Sequence, residues 1–281
     1  MNYEATTVEQ TRQALATARS AARKLVLATP AQLAEGVERI AEQLRRNHDR
    51  ILTANQLDLK RKDPADPRYD RLLLNPDRID LIADDLDAVA ALPCPLDQVL
   101  ERRTLDNGLQ LEKIRVALGV VAVIYESRPN VTADVSALCL KSGNVALLKG
   151  SRDAADSNRV LVDLIHHALT EAELPPAAVT LAPSERDALP VILDAVGQVD
   201  VAIPRGSQGL INAVRENARI PVIETGAGIV HVYVDESASI RKARAIVTNS
   251  KARRVSVCNA LDTLVLHESR LADLPELLSD L

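Results

Sequence analysis

Cys258 is the residue of this 281-residue chain whose surroundings offer covalent chemistry. It stands in RRVSVCNAL, after Arg253 and Arg254, in a loop ahead of a strand-like run. Nearby positive charge lowers a thiol's pKa, and the thiolate is the attacking species. The other cysteines read differently: Cys139 lies in an apolar helical stripe, and Cys94 sits between Pro93 and Pro95 in a connection. An odd number of widely separated cysteines fits a reduced, cytoplasmic protein better than a disulfide framework. His231 and His267 fall in strand-like runs and read as structural. With no CxxC or HxxxH spacing, no metal site is expected.

A second set of candidates follows the ends of apolar runs. After GVVAVIY comes Glu126-Ser127-Arg128-Pro129-Asn130, and after VALL comes Lys149-Gly150-Ser151. Pro204-Arg205-Gly206-Ser207-Gln208-Gly209 leads into a helical run, and Glu224-Thr225-Gly226-Ala227-Gly228 follows PVI. In an open parallel sheet, ligands bind beyond the carboxyl ends of the strands. Cations, an amide, a carboxylate and small residues gathered there would suit an anionic cofactor or substrate. RGSQG can hold phosphate on backbone N–H groups at a helix start, although it is not the GxGxxG fingerprint. Singly, each segment also reads as an ordinary turn, and Lys149 as a solvated strand-end charge.

The elements that would position these residues follow from periodicity. Thr29-Pro30 and Asn75-Pro76 each pair an N-cap with a proline at the first helical position, and Leu33, Val37, Ile40, Ala41 and Leu44 recur at helical spacing. Residues 99–116 change period around Asn107-Gly108, which predicts a hairpin with a type I′ turn. That hairpin has no local neighbour and is expected to reach another subunit. From about residue 118, strands at 119–125, 145–149, 178–182, 199–203 and 221–224 alternate with helices at 132–142, 154–172, 185–196 and 207–218. This is an α/β pattern with a parallel sheet covered on both faces. At 229 it restarts with a strand, a helix near 237–250 and a strand at 261–267. The expected domains are therefore a cofactor domain at 1–228 and the beginning of a second at 229–281.

Composition excludes some functions. A net charge of −5 argues against nucleic-acid binding, and no apolar run reaches the length of a membrane span. The N-terminus lacks the order of a signal peptide. Four tyrosines with no phenylalanine or tryptophan leave the core to Leu, Val, Ile and Ala. Either a drifted natural sequence or an edited one would show this.

YESRPNVT, LKSGN, IPRGSQGLI, PVIETGAG with HVYVD, and VCNALDTLVLH stand in one order along the chain. Together they resemble the γ-glutamyl phosphate reductases of the aldehyde dehydrogenase superfamily. The resemblance implies an aldehyde-dehydrogenase-like α/β fold with N-terminal helices, a parallel-sheet cofactor domain, a protruding β-hairpin and an α/β catalytic domain. It implies NADPH-dependent reduction of L-glutamyl 5-phosphate to glutamate 5-semialdehyde with release of phosphate. Cys258 would be the nucleophile, Asn130 the oxyanion-hole amide, and Glu224 a proton shuttle or a residue shaping the site. Lys149, Gly150 and Ser151, Pro204, Arg205, Gly206, Ser207 and Gly209, and Thr225 and Gly226 would hold NADPH/NADP. Arg128, Arg254 and Asn259 would meet the substrate, with Arg128 or Arg254 on its phosphate. The expected partners are further copies of the chain and, along the pathway, glutamate 5-kinase.

Ser151 and Ile229-Val230 depart from the usual family pattern, which has glycine at the first position and an asparagine with a small or polar residue at the second. Family members also continue well beyond the point corresponding to Leu281, so the chain is expected to be a fragment with an incomplete catalytic domain. Two other readings stay open: an inactive remnant that binds NADPH or pairs with other subunits, and an oxidising or acylating aldehyde dehydrogenase.

Overall fold

Thr29-Pro30 starts a helix as its chemistry requires. The Thr29 hydroxyl accepts from the Gln32 N–H at 3.2 Å, the Gln32 side chain accepts the Thr29 N–H at 3.0 Å, and Pro30 fills the first turn. In the computed structural model, which describes residues 6–66, 68–224, 228–253, 255, 257 and 259–281, five helices open the chain. They are α1 (Thr7–Leu25), α2 (Pro30–Arg46), α3 (His48–Lys60), α4 (Tyr69–Leu72) and α5 (Pro76–Ala91). Asn75 caps α5 in the same manner, accepting from the Arg78 N–H at 2.8 Å. Leu33, Val37, Ile40, Ala41 and Leu44 are all completely buried on one face of α2. That face packs against α5 and against a later helix, residues Ala155–Glu171.

The next two strands, β1 (Val99–Thr104) and β2 (Gln110–Ile114), form their own antiparallel sheet, with every residue exposed. The turn differs from the expected type I′. Leu105 N–H donates to Leu109 O and Gly108 N–H to Leu105 O, each at 2.8 Å. Three residues therefore lie in the loop, and of these Gly108 takes a positive φ, +85°. A type I turn with a bulge at glycine needs left-handed backbone only there, whereas type I′ would also force it on Asn107.

The chain then lays down β3 (Val120–Tyr125), α6 (Pro129–Lys141), β4 (Val145–Lys149), α7 (Ala155–Glu171), β5 (Val179–Leu181), α8 (Ala188–Leu193), β6 (Val201–Arg205) and α9 (Gln208–Asn217). The four strands are parallel in the order β5-β4-β3-β6. β3 and β4 are buried along their whole length, as continuous apolar runs in a doubly covered sheet should be. Asp200 fixes the start of the central strand. Its carboxylate accepts from the Val120 N–H and from Arg19 of α1, both at 2.7 Å. The expected strand at 221–224 reduces to a parallel bridge between Ala202 and Val222. Pro221 has no N–H to donate, and only its carbonyl and the Ile223 N–H engage Ala202.

Two compact units result, Met1–Glu224 and Thr225–Leu281. The second contains β7 (His231–Val234), α10 (Ile240–Ala252), β8 (Thr263–Leu266) and α11 (Leu274–Leu277), with β7 and β8 parallel. Its core is small: Val234, Ala243 and Leu277 cluster with Val232, Ile240, Leu264 and Leu266 packed against them, and Val247 and Leu261 are buried as well. Among the described residues, no helix is long and apolar enough to cross a membrane.

Candidate active site

The loop from β3 to α6 turns sharply, and its backbone shows the strain. Ser127 is buried with φ at +39°, a conformation uncommon for a residue with a side chain. Two hydrogen bonds to the segment after β4 hold it. The Ser127 N–H donates to Ser151 Oγ at 3.1 Å, and its own hydroxyl donates to Asp153 Oδ2 at 2.8 Å. Lys62 Nζ on the α3 side reaches the same Asp153 oxygen at 3.1 Å. Ser151, where the family pattern has glycine, thus contributes a hydroxyl that closes this clamp.

Past the turn, Arg128 is the half-buried N-cap of α6, Pro129 fills its first position, and Asn130 follows in the first turn. Asn130 Nδ2 donates to Asp134 Oδ2 one helical turn later, at 2.9 Å. Burial pushes the Asp134 carboxyl up to about 6, against the pull of the Asn130 hydrogen bond and with Asp85 of α5 adding a like charge. Asp134 was not among the residues suggested by sequence. The available signal was a carboxylate four residues after an asparagine, on one helical face.

A buried polar chain ties the end of β3 to α6 and α7. Thr132 donates to Asn158 Oδ1 at 2.8 Å, so the Tyr125 hydroxyl, 2.7 Å from Thr132 Oγ1, is the donor in that pair. Burial raises the Tyr125 pKa, which keeps the phenol protonated as this role demands. Gly150 lies against the chain, and a Cβ there would stand 2.3 Å from Asn158 Nδ2. Space therefore requires glycine at this position. Lys149 Nζ donates to the Ser184 carbonyl at 2.7 Å and the Gly150 carbonyl at 3.1 Å. Burial lowers its pKa. An ammonium carries three N–H groups, so one is left for a further acceptor such as a hydroxyl.

Beyond β6 the character changes. Pro204 is buried in the strand, whereas Arg205, Gly206, Ser207 and Gly209 are exposed. Ser207 caps the ten-residue helix α9. Its N–H donates to Glu126 Oε2 at 2.8 Å and its hydroxyl to Glu126 Oε1 at 3.2 Å. Gly206 gives the carboxylate room, since a Cβ there would come within 2.6 Å of Glu126 Oε2. An anion is thus already seated on these donors. A diphosphate offers the same acceptor chemistry, so the residues fit the phosphates of a dinucleotide, with Lys149 fitting a sugar hydroxyl.

Glu224, at the end of the first unit, is exposed and accepts from Arg215 at 3.4 Å. Cys258, Arg254, Thr225 and Gly226 lie outside the described residues. Asn259 is exposed in a turn of the second unit. Cys139 is buried, and its thiol is pushed up to about 12 by that burial, so it is no competing nucleophile. Cys94 sits half-buried, 4.0 Å from the Lys141 carbonyl.

Comparison with known proteins gives this geometry a context. The sequence model of the aldehyde dehydrogenase family matches residues 1–280. A γ-glutamyl phosphate reductase from Chlorobaculum parvum is 54% identical over 269 residues, an alignment covering 96% of this chain and 64% of that protein. A γ-glutamyl phosphate reductase from Pelodictyon phaeoclathratiforme is 53% identical over 261 residues, covering 93% and 62%. The crystal structure of γ-glutamyl phosphate reductase from Thermotoga maritima superposes with a TM-score of 0.86 at 35% identity, covering 96% of this chain and 67% of that one. The chain spans 64% and 62% of the length of the two curated relatives.

Proposed function

Because the chain belongs to the aldehyde dehydrogenase family, we propose that it carries the reduction of L-glutamyl 5-phosphate to L-glutamate 5-semialdehyde with release of phosphate. One observation carries this reading: Lys149 ends β4 while Asn130 and Ser207 follow β3 and β6 at the same sheet edge, in a chain 54% identical to a γ-glutamyl phosphate reductase. The family's cofactor is a nicotinamide nucleotide, and we assign NADPH. Lys149, Gly150 and Ser151, the 204–209 turn, and Thr225 with Gly226 would hold it. When bound, it supplies the hydride that reduces an acyl group to the aldehyde level.

The chain's own residues do the rest. The Cys258 thiolate attacks the acyl carbon, its sulfur forms the new bond, and phosphate departs with the electron pair of the broken C–O bond. The Asn130 amide and the Cys258 N–H stabilise the oxygen that gains charge in the tetrahedral state; one such donor is worth roughly 10²–10³ in rate. Arg128 or Arg254, with Asn259, orients the acyl phosphate, and Glu224 moves a proton or shapes the site. The exposed hairpin, with Val99, Leu109 and Leu111 at its surface, would join copies of the chain. The setting is the cytoplasm, with glutamate 5-kinase supplying the substrate.

The test runs the reaction backwards. The chain is incubated with glutamate semialdehyde, phosphate and NADP⁺, and reduced cofactor is followed at 340 nm beside Cys258→Ala. Phosphate-dependent signal that is lost in the variant is the expected result. Signal without phosphate would point instead to an oxidising aldehyde dehydrogenase. Absent turnover with NADPH still bound would leave a non-catalytic binding unit.

A further inference from the structure

A carboxylate and an amide facing each other on α6 are poorly explained as a helix-surface pair. Exposed side-chain pairs at this spacing contribute little to helix stability. Asp134 is half-buried, and burial disfavours its charged form. Among the described residues its hydrogen-bond partner is Asn130 Nδ2 at 2.9 Å, so an acid stands where ionisation is costly and meets an amide.

We propose that Asp134 is a positioning residue whose carboxylate fixes the orientation of the Asn130 amide, keeping Nδ2 on the side where its second N–H can serve a developing oxyanion. This rests on the reading of Asn130 as the oxyanion donor. The selection is chemical. An ionised carboxylate accepts hydrogen bonds and donates none, so it holds the amide nitrogen and repels the amide oxygen. An amide turned over would present Oδ1 to the substrate oxygen, where like partial charges meet. A protonated Asp134 loses this discrimination, because its O–H can donate to Oδ1. Preorganised donors are effective because they need no reorientation as the reaction proceeds. Asp85 on α5 is the charged neighbour acting on Asp134, and it disfavours ionisation further, so the selecting charge is held against burial and like charge together.

The decisive experiment needs no turnover. The full chain is labelled with ¹⁵N-asparagine, and the Asn130 side-chain signal is identified by its loss in Asn130→Ser. Across pH 4.5 to 8, the two Nδ2 protons should be inequivalent, with one shifting along a titration whose midpoint lies near 6. That titration should vanish in Asp134→Asn and in Asp134→Leu, the second covering the case in which the first variant misfolds. Asn130 protons that ignore pH, or that titrate unchanged in both variants, would overturn the proposal. In the semialdehyde assay, Asp134→Asn should lower kcat by about 10-fold with KM for phosphate and NADP⁺ unchanged, while raising the thermal midpoint at pH 7.5. An unchanged kcat, or a loss accompanied by a lower midpoint, would contradict positioning. A wild-type chain without turnover would refute the reading of the reaction, while the titration still decides whether Asp134 orients Asn130.

Discussion

The loops after β3 and after β6 sit at the same edge of one sheet and are built in opposite ways. The first is strained at Ser127 and held by Ser151 and Asp153, and it delivers Asn130 onto a helix where Asp134 waits. The second is exposed, rich in small residues, and among the described residues is closed by Glu126 reaching across to Ser207. Strained backbone persists where its surroundings over-determine it, and exposed turns with few partners rearrange at little cost. On the proposed reading, the contrast separates a fixed side, where charge would develop during reaction, from an exchangeable side, where one anion could replace another.

Removing the amide from the fixed side should have the largest effect. Asn130→Ala is expected to lower kcat by roughly 10²–10³ with little change in KM, measured in the semialdehyde assay. Next comes the polar chain beneath the loop. Gly150→Ala would drive a Cβ into Asn158, 2.3 Å away, and overpacking of this kind costs about 1–3 kcal/mol, readable as a lower thermal midpoint. A smaller effect of opposite sign is expected at Asp134. Its carboxyl titrates near 6 in the folded chain against roughly 3.9 when unfolded. Between those values the folded chain keeps a proton that the unfolded chain has released. Its contribution to stability is therefore full below about pH 3.9 and lost as pH rises through 6. Asp134→Asn should stabilise the chain by about 1 kcal/mol at pH 7.5 and by almost nothing at pH 4, measured by urea unfolding; the side chain's partial exposure reduces the figure. The smallest effect belongs to the exchangeable side. Glu126→Gln removes a charge that competes with phosphate at Ser207, and NADPH should bind about threefold tighter by titration calorimetry.

Local rules made much of this legible in sequence. The Thr29-Pro30 and Asn75-Pro76 caps, the fully buried α2 face and the apolar β3 and β4 runs all act over a few residues. The hairpin itself was legible, while its turn type depended on whether the last pair closes two residues or three. Pairing partners decided the 221–224 segment, where Pro221 limits contact to a single bridge with Ala202. At the candidate site, strand ends single out Asn130, Lys149 and Ser207 in the sequence. Asp134 and the Tyr125–Thr132–Asn158 chain escaped because their significance lies in burial and in bonds between segments distant in sequence. Gly150 was read as a cofactor contact, and its packing against Asn158 could not be seen without the fold.

Hydrogen exchange of the full chain with and without NADPH tests the contrast between the two loops most directly. Amides at 206–211 should gain protection on binding, while those at 127–134 should be protected beforehand and change little. Equal changes in both segments, or slow exchange at 206–211 before cofactor is added, would contradict a fixed side and an exchangeable side on one sheet edge.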